Sequence, residues 1–518
     1  MRMVDYFERG WRRAPDRPAF IDDERALTWR EVDDLSGRVA SAMVAAGLPD
    51  LTRVAVYAPN DALAFVPVIA GFRFGAVWVP MNARNTVESN EHLLRLTRCS
   101  CLFYHSTFEQ EALALRTAMD APAQLVCLDR DGPGAIPSLE EFMRRGAGVA
   151  LPDVPDDNNR IVRIMPTGGT TGLSKGAEQT QLTWGTVIAT YWLCLPSDEP
   201  PVHLIVGPLT HGAGSLALMM MPAGPTNILL KKADPTRIME AIQHHRVTHV
   251  YLPPTLIYLL LAHPKVRSYD YSSLKYLLIM AAPIAPEKLH EAMDVFGPVV
   301  CQSYGQAEAP IFLTFLSTRD LLAAKVGGRA DRWASCGRPT LSSSVEIMGE
   351  DGRVLEPYER GEIVARGNLV IPRYHENPVA TAEMRTLGWL RTGDVGYRDE
   401  DGFLYIVDRK KDMIVTGGFN VFSAEIEQVV LSHPAVRDCA VIGVPDPIWG
   451  EAVKLVVELK DGATADGPEL TNLVKQKLGG VHAPKSVEFW TALPRSVNGK
   501  VLKREIRARF WQSHDRAV

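Results

Sequence analysis

No Cys-x-x-Cys pair occurs in the chain. Its seven cysteines, Cys99, Cys101, Cys127, Cys194, Cys301, Cys336 and Cys439, are scattered, which argues against both a disulfide framework and a zinc site. There is no Asn-x-Ser/Thr glycosylation signal and no visible internal repeat. Charge of one sign is not in excess either: the net charge is −5, and nothing electrostatic favours nucleic acid or an anionic membrane as partner. Long apolar runs are missing too. Residues 63–80 are broken by Pro67, Gly71, Arg73 and Gly75, and residues 212–230 carry Pro222, Pro225 and Asn227. A spanning helix needs about 20 predominantly apolar residues, so both stretches are expected as buried helix and strand pieces, with no integral membrane segment. The opening residues, Met-Arg-Met-Val-Asp-Tyr-Phe-Glu-Arg, lack the apolar core of a signal peptide. The expectation is a cytoplasmic enzyme.

What is present is an ordinary enzyme composition, 46% hydrophobic and 23% charged over 518 residues. At about 150 residues per domain, three to four structural units are expected. The N-terminal third alternates helix and strand. Thr28 and Glu31 have capping-box spacing, Val32, Leu35, Val39 and Met43 follow at helical intervals, and Gly47 stops the helix. Residues 53–57, 76–79, 102–104 and 124–128 read as strands, and 62–74 as a helix between the first two. Such alternation predicts an α/β fold with layered, mostly parallel sheets.

The most chemically pointed stretch follows the apolar strand residues 161–165. It is Thr167-Gly168-Gly169-Thr170-Thr171-Gly172-Leu173-Ser174-Lys175-Gly176. Its glycines let backbone approach a ligand, while its hydroxyls and Lys175 offer donors to an anion. The order does not fit the GxxxxGK[ST] phosphate loop, because Ser174 precedes Lys175 and Gly176 follows it. By residue type alone, a polyphosphate cradle and a glycine-rich surface turn both remain open.

Further motifs follow downstream. His211 sits in Pro208-Leu209-Thr210-His211-Gly212, where a packed core histidine is the commoner outcome. Ala281-Ala282-Pro283 ends an apolar strand in small residues against which a flat ring could lie, or is a plain turn. In Tyr304-Gly305-Gln306-Ala307-Glu308, Tyr304 offers a stacking face and Glu308 a hard oxygen for Mg²⁺. Asp394 in Thr392-Gly393-Asp394 could accept two hydroxyls of a diol, or be a turn residue. The charged run Lys410-Lys411-Asp412 would ordinarily be a solvated face, and Lys500 on Asn498-Gly499-Lys500 an exposed hairpin lysine.

Taken together and in this order over residues 167–500, these motifs resemble the adenylate-forming superfamily, which includes acyl- and aryl-CoA synthetases, luciferases and peptide-synthetase adenylation domains. The resemblance covers nearly the whole chain. It implies that residues 167–176 hold ATP phosphates and that His211 orients the acid in its pocket. It implies that Ala281, Ala282, Pro283 and Tyr304 contact adenine, that Glu308 holds Mg²⁺, and that Asp394 and Arg409 meet the ribose. Lys411 takes the hinge position, Gly418 lines the pantetheine tunnel, and Lys500 contacts both the carboxylate and the α-phosphate. Two departures stand out: Thr210 replaces an aromatic, and Ala307 replaces a phosphate-contacting threonine.

The implied organisation is a body over residues 1–410 and a small mobile α/β lid over 411–518. The implied reaction converts an acid and ATP to acyl-AMP and pyrophosphate, then transfers the acyl group to CoA. ATP, Mg²⁺ and CoA are thus the expected cofactors and the acid and CoA the partners, with a homodimer as an open option. Three rivals stay open: a carrier-protein-loading enzyme, a luciferase-like oxidative ligase and a non-enzymatic nucleotide sensor. Residues 208–218 contain no acidic side chain. Amino-acid-activating relatives carry an aspartate there, so the expected acid is uncharged apart from its carboxylate: fatty, aryl or alicyclic.

Overall fold

The computed structural model describes residues 1–167, 174–495 and 501–511. Their contacts divide into two units. The first takes described residues of 1–345 and 365–390, and the second those of 346–364 and 391–511.

Two sheets form the frame of the first unit. In the larger, six strands run parallel in the order Pro18–Ile21, Thr226–Leu229, Val202–Ile205, His249–Leu252, Tyr276–Ile279 and Val300–Gln306. Antiparallel strands Ala26–Thr28 at one edge, and Ala309–Leu316 and Arg338–Pro339 at the other, complete nine. In the second sheet Gln124–Cys127, Cys101–Tyr104, Arg53–Tyr57, Val77–Val79 and Ile161–Pro166 are parallel, and Gly176–Thr180 closes the edge antiparallel. Continuous apolar runs explain the parallel arrangement, since helices cover both faces of such strands. Leu277, Leu278 and Ile279, for example, are all buried.

Local signals place the flanking helices. Thr28 Oγ1 accepts from Glu31 N–H at 3.2 Å while Glu31 Oε2 accepts from Thr28 N–H at 2.7 Å, opening the helix Trp29–Ala45. The two apolar stretches resolve into short pieces. One is the helix Val66–Phe74, ended by Gly75 at φ 93°, with the strand Val77–Val79; the other is the helix Gly212–Met220 with the strand Thr226–Leu229. No helix among the described residues is long and apolar enough to cross a membrane.

The second unit contains a five-stranded sheet in which Phe419–Val421, Ile414–Thr416, Gly450–Leu459 and Val436–Asp446 are successive neighbours and Ser486–Phe489 pairs with Gly450–Leu459. Ile426 and Val430 of the helix Ser423–Leu431, and Leu470 and Val474 of Gly467–Leu478, pack on its Val441, Val453 and Leu455. The chain is therefore mixed α/β, with a large N-terminal body of mostly parallel sheets and a small C-terminal domain.

Candidate active site

In the first unit, several of the groups singled out from the sequence lie just past the carboxyl end of a parallel strand. Thr167 follows Ile161–Pro166, Thr210 and His211 follow Val202–Ile205, Ala281–Pro283 follow Tyr276–Ile279, and Glu308 follows Val300–Gln306. Ligands of open α/β sheets bind at this end.

Gly168, Gly169, Thr170, Thr171 and Gly172 lie outside the described residues, and the stem that carries them is closed tightly. Pro166 pairs with Gly176, Thr167 N–H donates to Lys175 O at 2.8 Å, Lys175 N–H to Thr167 Oγ1 at 3.2 Å, and Ser174 Oγ to Thr167 O at 2.7 Å. The adjoining strand Gly176–Thr180 works on several neighbours. Gln179 takes a 2.9 Å bond from the Trp184 indole and gives one of 2.9 Å to the Ala307 carbonyl. That bond fixes the backbone beside Glu308, although Ala307 has no hydroxyl to offer phosphate.

Strand Gly176–Thr180 also recruits residues 373–375. Ala177 bridges Tyr374, His375 N–H donates to Gly176 O at 2.7 Å, and the buried Glu178 carboxylate contacts Arg373 Nε at 2.6 Å and His375 Nδ1 at 2.8 Å. Tyr374 is thereby set beside Lys175, whose Nζ lies 5.1 Å from the centre of its ring. The Tyr374 hydroxyl donates to Glu308 Oε1 at 2.6 Å. Lys175 and Glu308, 133 residues apart in sequence, thus meet at one tyrosine. Tyr374 went unnoticed in the sequence because no local pattern marks it.

Tyr304 is half-buried near the end of its strand, opposite Thr314. Gly305 beside it cannot carry a side chain, because a Cβ would stand 2.5 Å from Ile311 N and 2.8 Å from Ala309 O. The hairpin that presents Glu308 is closed on this contact. Ala281, Ala282 and Pro283 are exposed, and Ala281 holds φ 78°.

His211 caps the apolar helix Gly212–Met220. Beneath it lies Arg163, 2% exposed, between the rings of Trp78 and Trp184 at 4.4 and 5.1 Å. Arg163 donates to Ser215 Oγ at 2.9 Å, and its Nη2 lies 3.5 Å from His211 O. Burial pushes its guanidinium down to about 9, so it stays cationic at neutral pH. Burial, with the Arg163 charge second, pushes the His211 imidazole down to about 4. At neutral pH His211 is therefore uncharged. The run 212–214 is less uniform than its composition suggests. A Cβ on Gly212 would meet open space, whereas one on Gly214 would strike Leu209 O at 2.2 Å and the Phe65 and Trp78 rings at 3.0 Å. Leu216, Leu218 and Met219–Met221 are fully buried.

In the second unit, residues 394–398 pair with Leu404–Arg409, placing Asp394 opposite Arg409. Arg409 Nε lies 2.8 Å from Asp394 Oδ1, and Thr392 Oγ1 accepts from Asp394 N–H at 3.1 Å. Lys411 is exposed in the turn that follows. Gly418, at φ 82°, shares a two-residue turn with Gly417 between Ile414–Thr416 and Phe419–Val421. Lys500 lies outside the described residues; Arg495 and Val501 on either side of it form an antiparallel bridge.

Residues 7–375 match the family model described as AMP-binding enzyme, and residues 425–500 that of the AMP-binding enzyme C-terminal domain. A feruloyl-CoA synthase from an Amycolatopsis species is 36% identical over 96% of this chain and 97% of its own. The medium/long-chain-fatty-acid–CoA ligase FadD8 of Mycobacterium tuberculosis is 34% identical over 98% and 90%. The chain belongs to the acyl-CoA ligase family of AMP-binding enzymes. Among solved structures this ligase is similar to the amide bond synthetase McbA of Marinactinospora thermotolerans, at 28% identity and TM-score 0.88 over 98% of this chain and all of that one. It is also similar to the Bacillus subtilis o-succinylbenzoate CoA synthetase in complex with ATP and magnesium ion, at 27% identity and TM-score 0.82 over 98% of each chain.

The ligase's donor set fits the groups bound in that last relative. No cluster of three or more His, Cys, Asp or Glu forms among the described residues. Mg²⁺ on a nucleotide characteristically takes one or two carboxylates, with phosphate and water completing its shell. Glu308 is one buried carboxylate with a single oxygen committed to Tyr374.

Proposed function

We propose that this AMP-forming acid–CoA ligase activates a fatty, aryl or alicyclic carboxylic acid that carries no α-ammonium. The supporting observation is the ion buried beside His211: it is Arg163, a cation, and residues 208–218 supply no carboxylate. An ammonium entering there would lose its water without gaining a counter-charge, at a cost of several kcal/mol. Gly212, opening on free space at the head of an apolar helix, leaves room for an uncharged body.

In this reading a carboxylate oxygen of the acid attacks the α-phosphorus of ATP and pyrophosphate leaves. The CoA thiol then attacks the acyl carbon, the thioester forms, and AMP and a proton depart. Lys175 and the residues 168–172 receive the phosphates, Glu308 holds Mg²⁺, and Ala281–Pro283 with Tyr304 take the adenine. Asp394 and Arg409 meet the ribose hydroxyls, and His211, uncharged, limits and orients the acid rather than moving a proton. Mg²⁺, when bound, neutralises charge on the polyphosphate. The remaining work is positioning and charge stabilisation. Residues 1–410 act as the body and 411–518 as the lid, turning at Lys411 so that Lys500 serves the first half-reaction and Gly418 the second.

Pyrophosphate release across a panel of acids, with and without CoA, tests the reading. Apolar acids are expected far ahead of every α-amino acid, with the CoA thioester as product. A free amino acid as the best substrate would overturn the substrate class and leave adenylation standing.

A further inference from the structure

Lys175 and Glu308 pose a problem for a phosphate site. A lysine intended for phosphate and a carboxylate intended for a metal attract one another, and a direct ion pair would occupy both before nucleotide arrives. Among the described residues neither has an oppositely charged side-chain partner; what lies between them is Tyr374. Lys175 Nζ stands over the ring at 5.1 Å, and the hydroxyl is bonded to Glu308 Oε1 at 2.6 Å. The tyrosine is held in place by its own backbone. It bridges Ala177 in the strand that begins beside Lys175, and its N–H donates to Thr381 Oγ1 at 3.0 Å. Tyr374 and Glu308 are both nine-tenths buried.

We propose that Tyr374 is a positioning residue that keeps this lysine and this carboxylate apart and assigns each its task. The inference rests on the reading of Glu308 as the metal carboxylate. The ring face gives the ammonium a weak resting place, which phosphate displaces. The hydroxyl engages Oε1, so the carboxylate is held by one oxygen and Oε2 is the one that would be offered to a cation. Groups that orient a metal ligand commonly contribute about 10- to 100-fold in metal affinity.

The two halves of the tyrosine can be separated. Tyr374→Phe keeps the ring and removes the donor, while Tyr374→Leu removes both. Mn²⁺ serves as the probe, its free concentration read by paramagnetic resonance in a titration of the full chain with ATP and no acid. Tyr374→Phe and Glu308→Gln are each expected to weaken Mn²⁺ retention about tenfold while still melting in a cooperative transition. Tyr374→Leu is expected, in addition, to weaken ATP binding severalfold at saturating Mn²⁺. If Glu308→Gln loses Mn²⁺ and Tyr374→Phe does not, the inference falls and the metal assignment survives. If Glu308→Gln retains Mn²⁺ like the unaltered chain, the metal assignment falls and takes the inference with it. Should the leucine variant fail to fold, the phenylalanine variant decides alone.

Discussion

Ala281 holds φ 78° in an exposed turn at the end of the strand Tyr276–Ile279. A residue with a Cβ is strained there by about 1–2 kcal/mol, because the Cβ crowds the following carbonyl; glycine carries no such penalty. Ala281→Gly is therefore expected to raise stability by about 1 kcal/mol, read as a higher melting temperature. With the backbone already in place, acid-dependent ATP–pyrophosphate exchange is expected to persist. A variant that melts lower would mean the chain tolerates this conformation without strain. The strain is invisible in the sequence, where Ala-Ala-Pro reads as a small-residue turn and nothing announces the sign of φ. Arg163 is the opposite case. A charge in the middle of Ile-Val-Arg-Ile-Met is a conspicuous interruption, and its meaning appears only when Trp78 and Trp184, 85 residues before and 21 after it, close on its two faces.

Elements were more legible than single contacts, and the reason is physical. The capping box before Trp29–Ala45 joins residues three apart, and strand Arg53–Tyr57 shows as an apolar run of its own, so a local pattern announces them. The bridge between Ala177 and Tyr374 joins segments 197 residues apart and no local pattern could supply it. The motif order singled out Thr167, Lys175 and Glu308 and passed over Tyr374, which touches the last two. The hinge and the C-terminal loop yield a paired prediction at this scale. Lys411→Pro fixes φ at the turn after Leu404–Arg409, so ATP–pyrophosphate exchange is expected to continue while CoA thioester formation collapses. Lys500→Ala is expected to do the reverse: adenylate formation is lost by 100-fold or more, roughly the worth of a preorganised charge at a developing anion, while thioester formation from supplied acyl-adenylate is spared. Equal loss of both half-reactions in either folded variant would end this division of labour.

For the whole molecule, buried histidines set the response to acid. His203 and His249 face one another on adjacent parallel strands of the large sheet, bonded to Asn227 at 3.0 Å and Thr248 at 2.7 Å. Burial pushes His203 down to about 4 and His249 to about 3, the latter helped by His203 and Lys275, and His211 also stands at about 4. In the unfolded chain all three titrate near 6.5. Between pH 6.5 and about 4 the unfolded chain therefore binds protons that the folded chain refuses, and stability falls as pH falls through that window. The effect fades about one pH unit above 6.5, where the unfolded imidazoles are neutral too. In the second unit Glu427 works the other way. Burial raises its carboxyl to about 7 against the pull of Lys503, 2.8 Å away, so between its unfolded value and pH 7 acidification favours the folded state there. The two units are thus expected to respond oppositely between pH 7 and pH 5, before ordinary carboxylates protonate. Calorimetric scans at the two pH values are expected to show the transition of the first unit moving down while that of the second holds or rises. His203→Gln, which keeps a donor for Asn227 and removes one titrating group, is expected to flatten the pH slope of the first transition. A slope unchanged by that substitution would show that the imidazoles do not control acid stability.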